Sequence, residues 1–563
     1  MNYLAIDGTE FDEERLDMLI FFAGAFGYTG SVRFSEGEDG RAVVSDVPFA
    51  SPESVSLSSA IPVSDEYSSH VAGESTEGGL DVDPLRVPQA LMHFAEYYLA
   101  FQEIRKDPNI RILLMDRSVS GDIAHISWKM RDYIESNEHF LLNYKTSFGR
   151  ISNLDLELGR MLISNRELHV PPPRSQFLKF AAMESLMNNG GQTIDTLISD
   201  LGANSGRASK LFNDLKEDFS DAFSSVHTSL SSSFELKPEV KNYWNRLLEA
   251  LEGVATHIFS PPPGEHQLSL RKGNEERWIN TNDLDYLTLI TIYALLHEAW
   301  KRNILIIGIV KDTAANELVK TVIPIMEDAG LLRFSRKLPK FESDKMLLQA
   351  NSIVNSAKLK TPWRTFEYDV CFRTISPDER PETRELMPQT REIRNSYVMG
   401  AFRNVITCER MFVKSYFQLW SSSNDPTVRA HVFLYDRPCY PQFDLSSKDR
   451  VDLVLKHNDS VVEEIRPVFH FTKDSPISDL VMGILQSMGS EPIPEALGHN
   501  YPLFLADKKA KWLEEEAKKA CTAAVELEIA RSKLDQQILY ESRFRDYRTS
   551  IEARRKNKAR KPR

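Results

Sequence analysis

The 563-residue sequence has few cysteines and no long apolar run, and both shortages narrow what the chain can be. Its four cysteines lack the CxxC spacing of zinc ribbons and iron–sulfur sites, so any metal is expected on oxygen ligands. No stretch of 18 uncharged apolar residues predicts a membrane span, and MNYLAIDGTE lacks the basic and apolar regions of a secretory leader. We therefore expect no membrane association and a cytoplasmic location. The cysteines are Cys371, Cys408, Cys439 and Cys521.

Several common catalytic motifs are also missing. The sequence has no GxxxxGK[ST] phosphate loop, which excludes a chain that is itself a P-loop ATPase. It has neither GxSxG nor HExxH, the signatures of two large hydrolase groups.

The net charge of −12 is unevenly distributed along the chain. The segment Arg554–Arg563 has seven basic residues and no acidic one, so the rest of the chain carries −19. A body this acidic repels nucleic acid over most of its surface. If it handles DNA, it must do so through a local channel, through metal ions or with a basic partner.

Apolar residues alternate between strand and helix periods, which predicts an α/β protein. An opening strand ends at Asp7-Gly8, and 51–85 reads as a Ser- and Gly-rich loop. The helix Val87–Ile104 precedes a buried strand, Ile110–Met115. Strands are also expected within Gly30–Phe34, Arg41–Ala50, Asn303–Asp312, His431–Arg437 and Arg466–Phe471, and helices over Ala314–Ala329, Ile477–Gly489 and from Leu505 onward.

Three acidic residues lie where these apolar elements end or are interrupted. Asp7 closes the first strand, Asp116 closes Ile110–Met115, and Glu96 lies in the intervening helix. Carboxylates that point at one another repel unless a cation joins them, and Mg²⁺ or Mn²⁺ prefers such oxygen ligands. Two such ions can support phosphodiester hydrolysis. The plain alternatives are an Asp-Gly turn, a surface pair between Asp116 and Arg117, and a solvated Glu96.

The order of these elements resembles the NurA nucleases. Members begin with a strand ending in Asp-Gly-Ser, continue with a helix-borne Glu, and have a second strand ending in Asp-Gly-Ser. The matching stretches here are LAIDGTE, AEYYLAF and LLMDRSVSG. The resemblance implies that Asp7, Glu96 and Asp116 are metal ligands, with Glu103 as the fallback for Glu96. Arg117 replaces the family glycine.

Two further stretches carry the resemblance. IIGIVKDTAANEL matches a strand followed by lysine, which places Lys311 near the scissile phosphate or a carboxylate. GHNYPLFLADKKAKW matches the family segment with Tyr-Pro and, at the start of a helix, Ala-His. Tyr501 and Pro502 fit, whereas the histidine position falls on Asp507, which can still bind a hard cation. His499 is a substitute for that histidine or a structural residue.

The resemblance implies a ribonuclease-H-like mixed sheet core. The residue pattern adds a helical insertion within that core and a long C-terminal helix after it. The corresponding divisions are 1–127 for the first part of the core, 128–265 for the insertion, 266–505 for the second part, and 506–563 for the helix with its basic tail. The helix has an apolar stripe that either pairs in a dimer or packs on its own domain. The stripe comprises Leu513, Ala517, Ala520, Ala524, Leu527, Leu534 and Ile538.

The implied activity is Mn²⁺- or Mg²⁺-dependent hydrolysis of DNA with two ions, as a 5′–3′ exonuclease, a single-strand endonuclease or both. The implied partners are DNA, a HerA-type hexameric ATPase and a second copy of the chain, acting in DNA end processing or antiphage defence. The basic tail either contacts DNA or the translocase, or is a solvated helix end. The replaced glycine and histidine leave two alternatives: a catalytically weakened structural partner of a translocase, or another ribonuclease-H-like nuclease.

Overall fold

The computed structural model describes most of the chain, and the fold is that of the described residues. They are 1–15, 18–37, 42–48, 53–62, 84–135, 139–160, 178–201, 205–224, 233–272, 275–323, 326, 332–333, 341–370, 373–377, 396–400, 411–440, 444, 453–457, 460–465, 469–470, 476–489 and 498–531. The basic tail lies outside the described residues, as do Leu534 and Ile538 of the predicted stripe.

An eleven-stranded mixed sheet forms the centre of the molecule, in the order β19-β12-β15-β16-β10-β5-β1-β2-β3, with β4 on β2 and β11 on β15. Its strands are β1 (Asn2–Arg15), β2 (Met18–Glu36), β3 (Ala42–Pro48), β4 (Glu53–Pro62), β5 (Ile110–Met115), β10 (Leu305–Val310), β11 (Trp363–Arg364), β12 (Glu367–Asp369), β15 (Phe412–Gln418), β16 (Phe433–Pro438) and β19 (Phe469–His470). Four separate two-stranded sheets are β6 (Lys145–Thr146) with β7 (Gly149–Arg150), β8 (Ser269–Lys272) with β9 (Glu275–Trp278), β13 (Arg373–Pro377) with β14 (Ser396–Gly400), and β17 (Leu453–His457) with β18 (Ser460–Ile465).

Helices cover this sheet and fill the middle of the chain. They are α1 (Val87–Lys106), α2 (Val119–Glu135), α3 (Asn153–Gly159), α4 (Leu178–Asn189), α5 (Ile194–Asp200), α6 (Ala208–Asp218), α7 (Tyr243–Phe259), α8 (Thr281–Arg302), α9 (Asp344–Val354), α10 (Pro476–Met488) and α11 (Tyr501–Arg531). Short 3₁₀ segments span Pro84–Arg86, Ser205–Arg207, Ser220–Ala222 and Pro238–Asn242, and a π-helical segment spans Leu318–Val322. None of the described helices has the length and apolar character needed to cross a bilayer.

The sheet topology confirms the mixed α/β class. The strands β1, β2 and β3 form an antiparallel meander; β5 pairs with β1 in parallel, and β10 pairs in parallel with the other edge of β5. The parallel connections pass through helices, as parallel strands require. This arrangement of a meander followed by parallel strands agrees with the expected ribonuclease-H-like core.

Local sequence signals explain the ends of the elements around this core. Pro88 lies in the first turn of α1, where its missing N–H is not needed, and two basic residues occupy the last turn. A capping box of Asn280 and Asp283 starts α8. Asn303 ends α8 in the left-handed conformation at φ 54° and turns the chain into β10.

Two expectations about the first strands are wrong. Asp7 does not close β1, because β2 continues beside that strand as far as Arg15; the strand that ends at this level is β5. The supposed loop at 51–85 contains β4, which pairs with the first half of β2. Its Ser-rich composition conceals a strand alternation in which Leu57 and Ile61 are buried. Residues 63–83 lie outside the described part of the chain.

The C-terminal helix also differs in detail from its expectation. It begins at Tyr501, so Asp507 lies inside it and not at its start. Its buried positions are Leu503, Ala506 and Ala510, which precede the predicted stripe. Within that stripe Leu527 is half exposed. The helix therefore docks on β1 and β2 through its first turns.

Candidate metal centre

Asp7 and Asp116 lie side by side because of the register of two parallel strands. Ile6 of β1 pairs with Met115 of β5, and Met115 pairs in turn with Gly308 of β10. Asp7 and Asp116 are the next residues on their strands. Since β5 ends at Met115 while β1 continues, β1 loses its neighbour on that side at Asp7. The two carboxylates thus emerge at an opening in the sheet, where α/β proteins place ligands.

Glu96 approaches this end of β5 from α1, which covers the opposite face of β1 from Asp7. A side chain at Gly8 would point at α1, since its Cβ would lie 2.7 Å from Glu96 Oε1 and 2.7 Å from Met92 Cγ. Thr9, the next residue, donates its hydroxyl to Glu514 of α11. Successive strand residues face opposite ways, so α1 and α11 cover opposite faces of β1. The missing side chain of Gly8 leaves the space that Glu96 occupies.

Lys311 and Asp507 complete the group that the sequence predicts. Lys311 follows β10 and places its ammonium 2.7 Å from Asp116 Oδ2. Asp507 lies on α11, and one turn later Lys511 contacts it at 2.7 Å.

The pKa of Asp7 reflects its acidic surroundings. Burial, together with repulsion from Asp116, Glu96 and Asp507, raises this pKa to about 8, while Lys311 opposes the rise. The other four predicted side chains therefore all act on the charge of Asp7. Glu103 is elsewhere: its carboxylate contacts Lys106 at 3.4 Å and lies near Glu53.

Glu96 is bound to Arg117, the residue that replaces the family glycine. Arg117 places Nη2 2.7 Å from Glu96 Oε2 and donates Nη1 to Asp122 Oδ2 at 2.9 Å. Its guanidinium lies over the ring of Tyr97, whose hydroxyl also donates to Asp122. Burial raises the pKa of Glu96 to about 7, although Arg117 opposes that rise. The solvated Glu96 of the plain alternative is wrong, since the residue is 2% exposed.

The turn that carries Asp116 and Arg117 is held by Asp436 of β16. Its carboxylate is fully buried and accepts hydrogen bonds from Ser118 Oγ at 2.7 Å and from the backbone N–H of Ser120 at 2.8 Å. It also accepts from the N–H of Val119 at 3.3 Å and so caps α2. Gly308 allows this contact, because a Cβ there would lie 2.3 Å from Asp436 Oδ1.

His499 lies at the edge of this group. It is 9% exposed, and neither ring nitrogen has a hydrogen-bond partner among the described residues. Its ring packs on Phe433 with the centroids 5.3 Å apart. Burial and the nearby Lys311 lower its pKa to about 3, while Asp507 opposes the shift. The imidazole is therefore neutral at physiological pH and keeps a free lone pair.

The carboxylates of this centre suit a hard divalent cation, although they are not arranged as a complete coordination shell. Within the described residues, no three carboxylate, imidazole or thiol groups form a ready-made metal site. The side chains of Asp116, Asp507 and Glu96 are instead turned towards Lys311, Lys511 and Arg117. Buried carboxylates in mutual repulsion, and a lone pair on the unpartnered His499 ring, are the features that a cation satisfies.

Sequence reasoning missed Lys511 and Asp436, and it did not pair Arg117 with Glu96. Lys511 had a signal, since Asp and Lys four residues apart on a helix form a pair. Asp436 had none, because its hydrogen bonds join residues more than 300 positions apart. The pairing of Arg117 with Glu96 requires the placement of α1 against the β5–α2 turn, which no local pattern gives.

Comparison with known proteins gives one family. The family model of the NurA domain matches residues 1–383. No curated protein matches the chain with statistical significance.

Solved structures of NurA proteins cover most of the chain at low identity. The NurA nuclease from Sulfolobus solfataricus is 11% identical with a TM-score of 0.34, and the match covers 94% of this chain and 85% of that one. A NurA bound to dAMP and manganese is 11% identical with a TM-score of 0.30, covering 90% and 83%. A further NurA structure is 13% identical with a TM-score of 0.31, covering 91% and 84%. Likenesses this loose do not align individual site residues. The family match spans more than half of the chain, and the chain therefore belongs to the NurA family.

Proposed function

We propose that this chain is a divalent-metal-dependent deoxyribonuclease. The observation that carries the proposal is the register of β1 and β5, which puts Asp116 beside Asp7 where β5 ends, with Lys311 2.7 Å from Asp116. Glu96 and Asp507 also act on the charge of Asp7. Membership of the NurA family supports it. So does a NurA structure that contains dAMP and manganese, a nucleotide and a metal of the kinds this site suits.

In this proposal Asp7, Asp116 and Asp507 hold Mn²⁺ or Mg²⁺. When bound, such a cation supplies Lewis acidity and an activated water for phosphodiester hydrolysis. Lys311 holds Asp116 in place and, with its partly exposed ammonium, positions a phosphate oxygen. Asp436 fixes the turn that follows Asp116 and so holds Asp116 in position at the end of β5.

The finer parts of the proposal concern substrate and partners. We expect 5′–3′ exonuclease activity, single-strand endonuclease activity or both, in the cytoplasm, in DNA end processing or antiphage defence. The acidic body repels DNA over most of its surface, so a HerA-type hexameric ATPase that delivers DNA, and a homodimer that surrounds it, suit this chain.

Asp7→Ala tests the hydrolytic proposal, with Asp12→Ala as the matched control. Both residues are on β1, but Asp12 is exposed and not among the groups that act on Asp7. We expect Asp7→Ala to reduce Mn²⁺-dependent degradation of single- and double-stranded DNA by at least about 100-fold, and Asp12→Ala to leave it within about twofold. Equal cleavage by the two variants would refute the assignment.

Two further measurements separate the remaining alternatives. Cleavage of RNA in preference to DNA would indicate another kind of ribonuclease-H-like nuclease. Co-purification with a hexameric ATPase, without cleavage under any divalent metal, would indicate a structural partner of the translocase. Full activity on DNA with Mn²⁺ excludes both.

A further inference from the structure

Three cations bind the carboxylates of the proposed centre, and they are held very differently. Lys311 and Lys511 have side chains that are 33% and 61% exposed, and each ammonium contacts one carboxylate, Asp116 or Asp507. A lysine of this kind is a flexible, strongly hydrated point charge, so it can move aside when a metal ion or a phosphate arrives. The two lysine ammonium groups can therefore leave the side of the centre that Asp7, Asp116 and Asp507 form.

Arg117 is fixed by comparison. Its side chain is 13% exposed, and its guanidinium contacts Glu96, Asp122 and the face of the Tyr97 ring at the same time. Asp122 is itself held by the hydroxyl of Tyr97 at 2.7 Å. A guanidinium does not lose its proton in proteins. A permanent positive charge thus lies against the carboxylate of Glu96 from the side of the β5–α2 turn.

This charge conflicts with a second divalent ion. A cation bound to Glu96 would lie next to the guanidinium in a buried setting, where like charges repel strongly. Moving Arg117 away would leave the Asp122 carboxylate and the face of the Tyr97 ring without the cation that both contact. The arginine also takes over part of a second ion's task, since it neutralises the one acidic side chain that approaches from α1.

We infer that the centre binds one divalent cation per chain, on the side of Asp7, Asp116 and Asp507, and that Arg117 takes the place of a second cation beside Glu96. The inference rests on the proposed function. It assigns Glu96 to the arginine as a positioning residue and not to the metal as a ligand. It also gives the replacement of the family glycine by Arg117 a definite consequence.

The number of bound ions tests the inference without reference to activity. Mn²⁺ would be titrated calorimetrically into the full-length protein, and electron paramagnetic resonance would distinguish isolated ions from a coupled pair. We expect one isolated Mn²⁺ per chain in the parent, and two in Arg117→Gly, which removes the guanidinium. Arg117→Lys keeps a positive charge and should bind one ion, whereas Asp7→Asn should bind none.

Each other outcome has a separate meaning. Two ions in the parent, or two in Arg117→Lys, would overturn the inference and leave the proposed function standing. One ion in a folded Arg117→Gly would also overturn it. No ion in the parent would refute the proposed function itself. If Arg117→Gly does not fold because Glu96 and Asp122 lose their shared cation, the number of Mn²⁺ ions bound by the parent protein still tests the inference.

Discussion

Asp7 has the least favourable environment for a negative charge in the proposed centre. It is 9% exposed and faces three other carboxylates, so its pKa rises to about 8 when no metal is present. In the unfolded chain it titrates near 3.8. Between these values the unfolded state binds fewer protons than the folded state, and stability must fall as the pH rises.

The free energy of unfolding should therefore change with pH as Asp7 titrates. His499 has a lowered pKa, so it weakens the fold only below its ordinary value of 6.5, where the unfolded chain takes up a proton. Between pH 6.5 and pH 8 the carboxylates act alone. We expect the metal-free protein to lose up to about 2 kcal/mol of stability over this window through Asp7. Urea unfolding in the presence of a chelator measures this loss.

The matched variant is Asp7→Asn, which keeps the shape and removes the charge. Its stability should change less with pH than that of the parent, and it should be the more stable of the two at pH 8. Added Mn²⁺ should stabilise the parent increasingly as the pH rises, because protons and metal compete for the same oxygens. If the stability of parent and variant in chelator changed equally with pH, the pKa of Asp7 would not be raised in the folded protein.

At the scale of elements, the site depends on how β16 supports the turn between β5 and α2. Asp436 accepts hydrogen bonds from Ser118, Val119 and Ser120, and nothing replaces it when it is removed. We expect Asp436→Ala to cost about 3 kcal/mol, because buried donors of the first turn of α2 lose their acceptor. Its Mn²⁺ affinity should fall as well, since Asp116 precedes this turn.

The control for that variant is Asp479→Ala. Asp479 is also an acidic residue with a cationic partner, Arg364, but its side chain is 71% exposed. The loss of such a surface pair costs about 0–1 kcal/mol. Urea unfolding and Mn²⁺ titration compare the two variants. Similar losses of stability would show that Asp436 does not act as the cap.

The sequence predicts those elements whose signals are local. The helix α1, the strand β5 and the strand β10 appear close to their predicted bounds, because apolar periodicity and end signals coincide there. β4 was missed, since its pairing with β2 outweighs a Ser-rich composition. The helix expected over Ala314–Ala329 is described only as a π-helical segment and its neighbours.

The residues of the candidate site also differ in whether a local sequence signal marks them. Asp116 follows the buried strand β5, and Asp7 follows the buried run of residues 3–6 inside β1; both apolar runs are visible in the sequence. The family resemblance supplied Lys311 and Asp507, which lie near Asp7 in the folded chain. The role of Arg117 depends on packing between α1 and the β5–α2 turn, and sequence patterns carry no record of such a contact.

At the scale of the whole molecule, the proposed centre needs a helix that lies far beyond the family match. The NurA domain matches residues 1–383, yet α11 begins at Tyr501 and contributes Asp507 and Lys511. This helix packs on β1 and β2, where Leu503, Ala506 and Ala510 are buried. Its removal would expose apolar sheet surface as well as delete one proposed ligand.

Two shortened chains distinguish these effects. A chain ending at Arg531 retains every described contact of α11, so it should melt within about 2 °C of the full-length protein and bind Mn²⁺ equally well. A chain ending at Asn500 should aggregate or melt at least about 5 °C lower, and should lose Mn²⁺ binding. Full-length Asp507→Asn separates the packing of α11 on the sheet from metal binding by Asp507, because this variant should keep the fold and lose only metal affinity. Size-exclusion chromatography, circular dichroism and Mn²⁺ titration provide the three readouts. Undiminished Mn²⁺ binding by the chain ending at Asn500 would mean that β1, β5 and α1 hold the metal without α11.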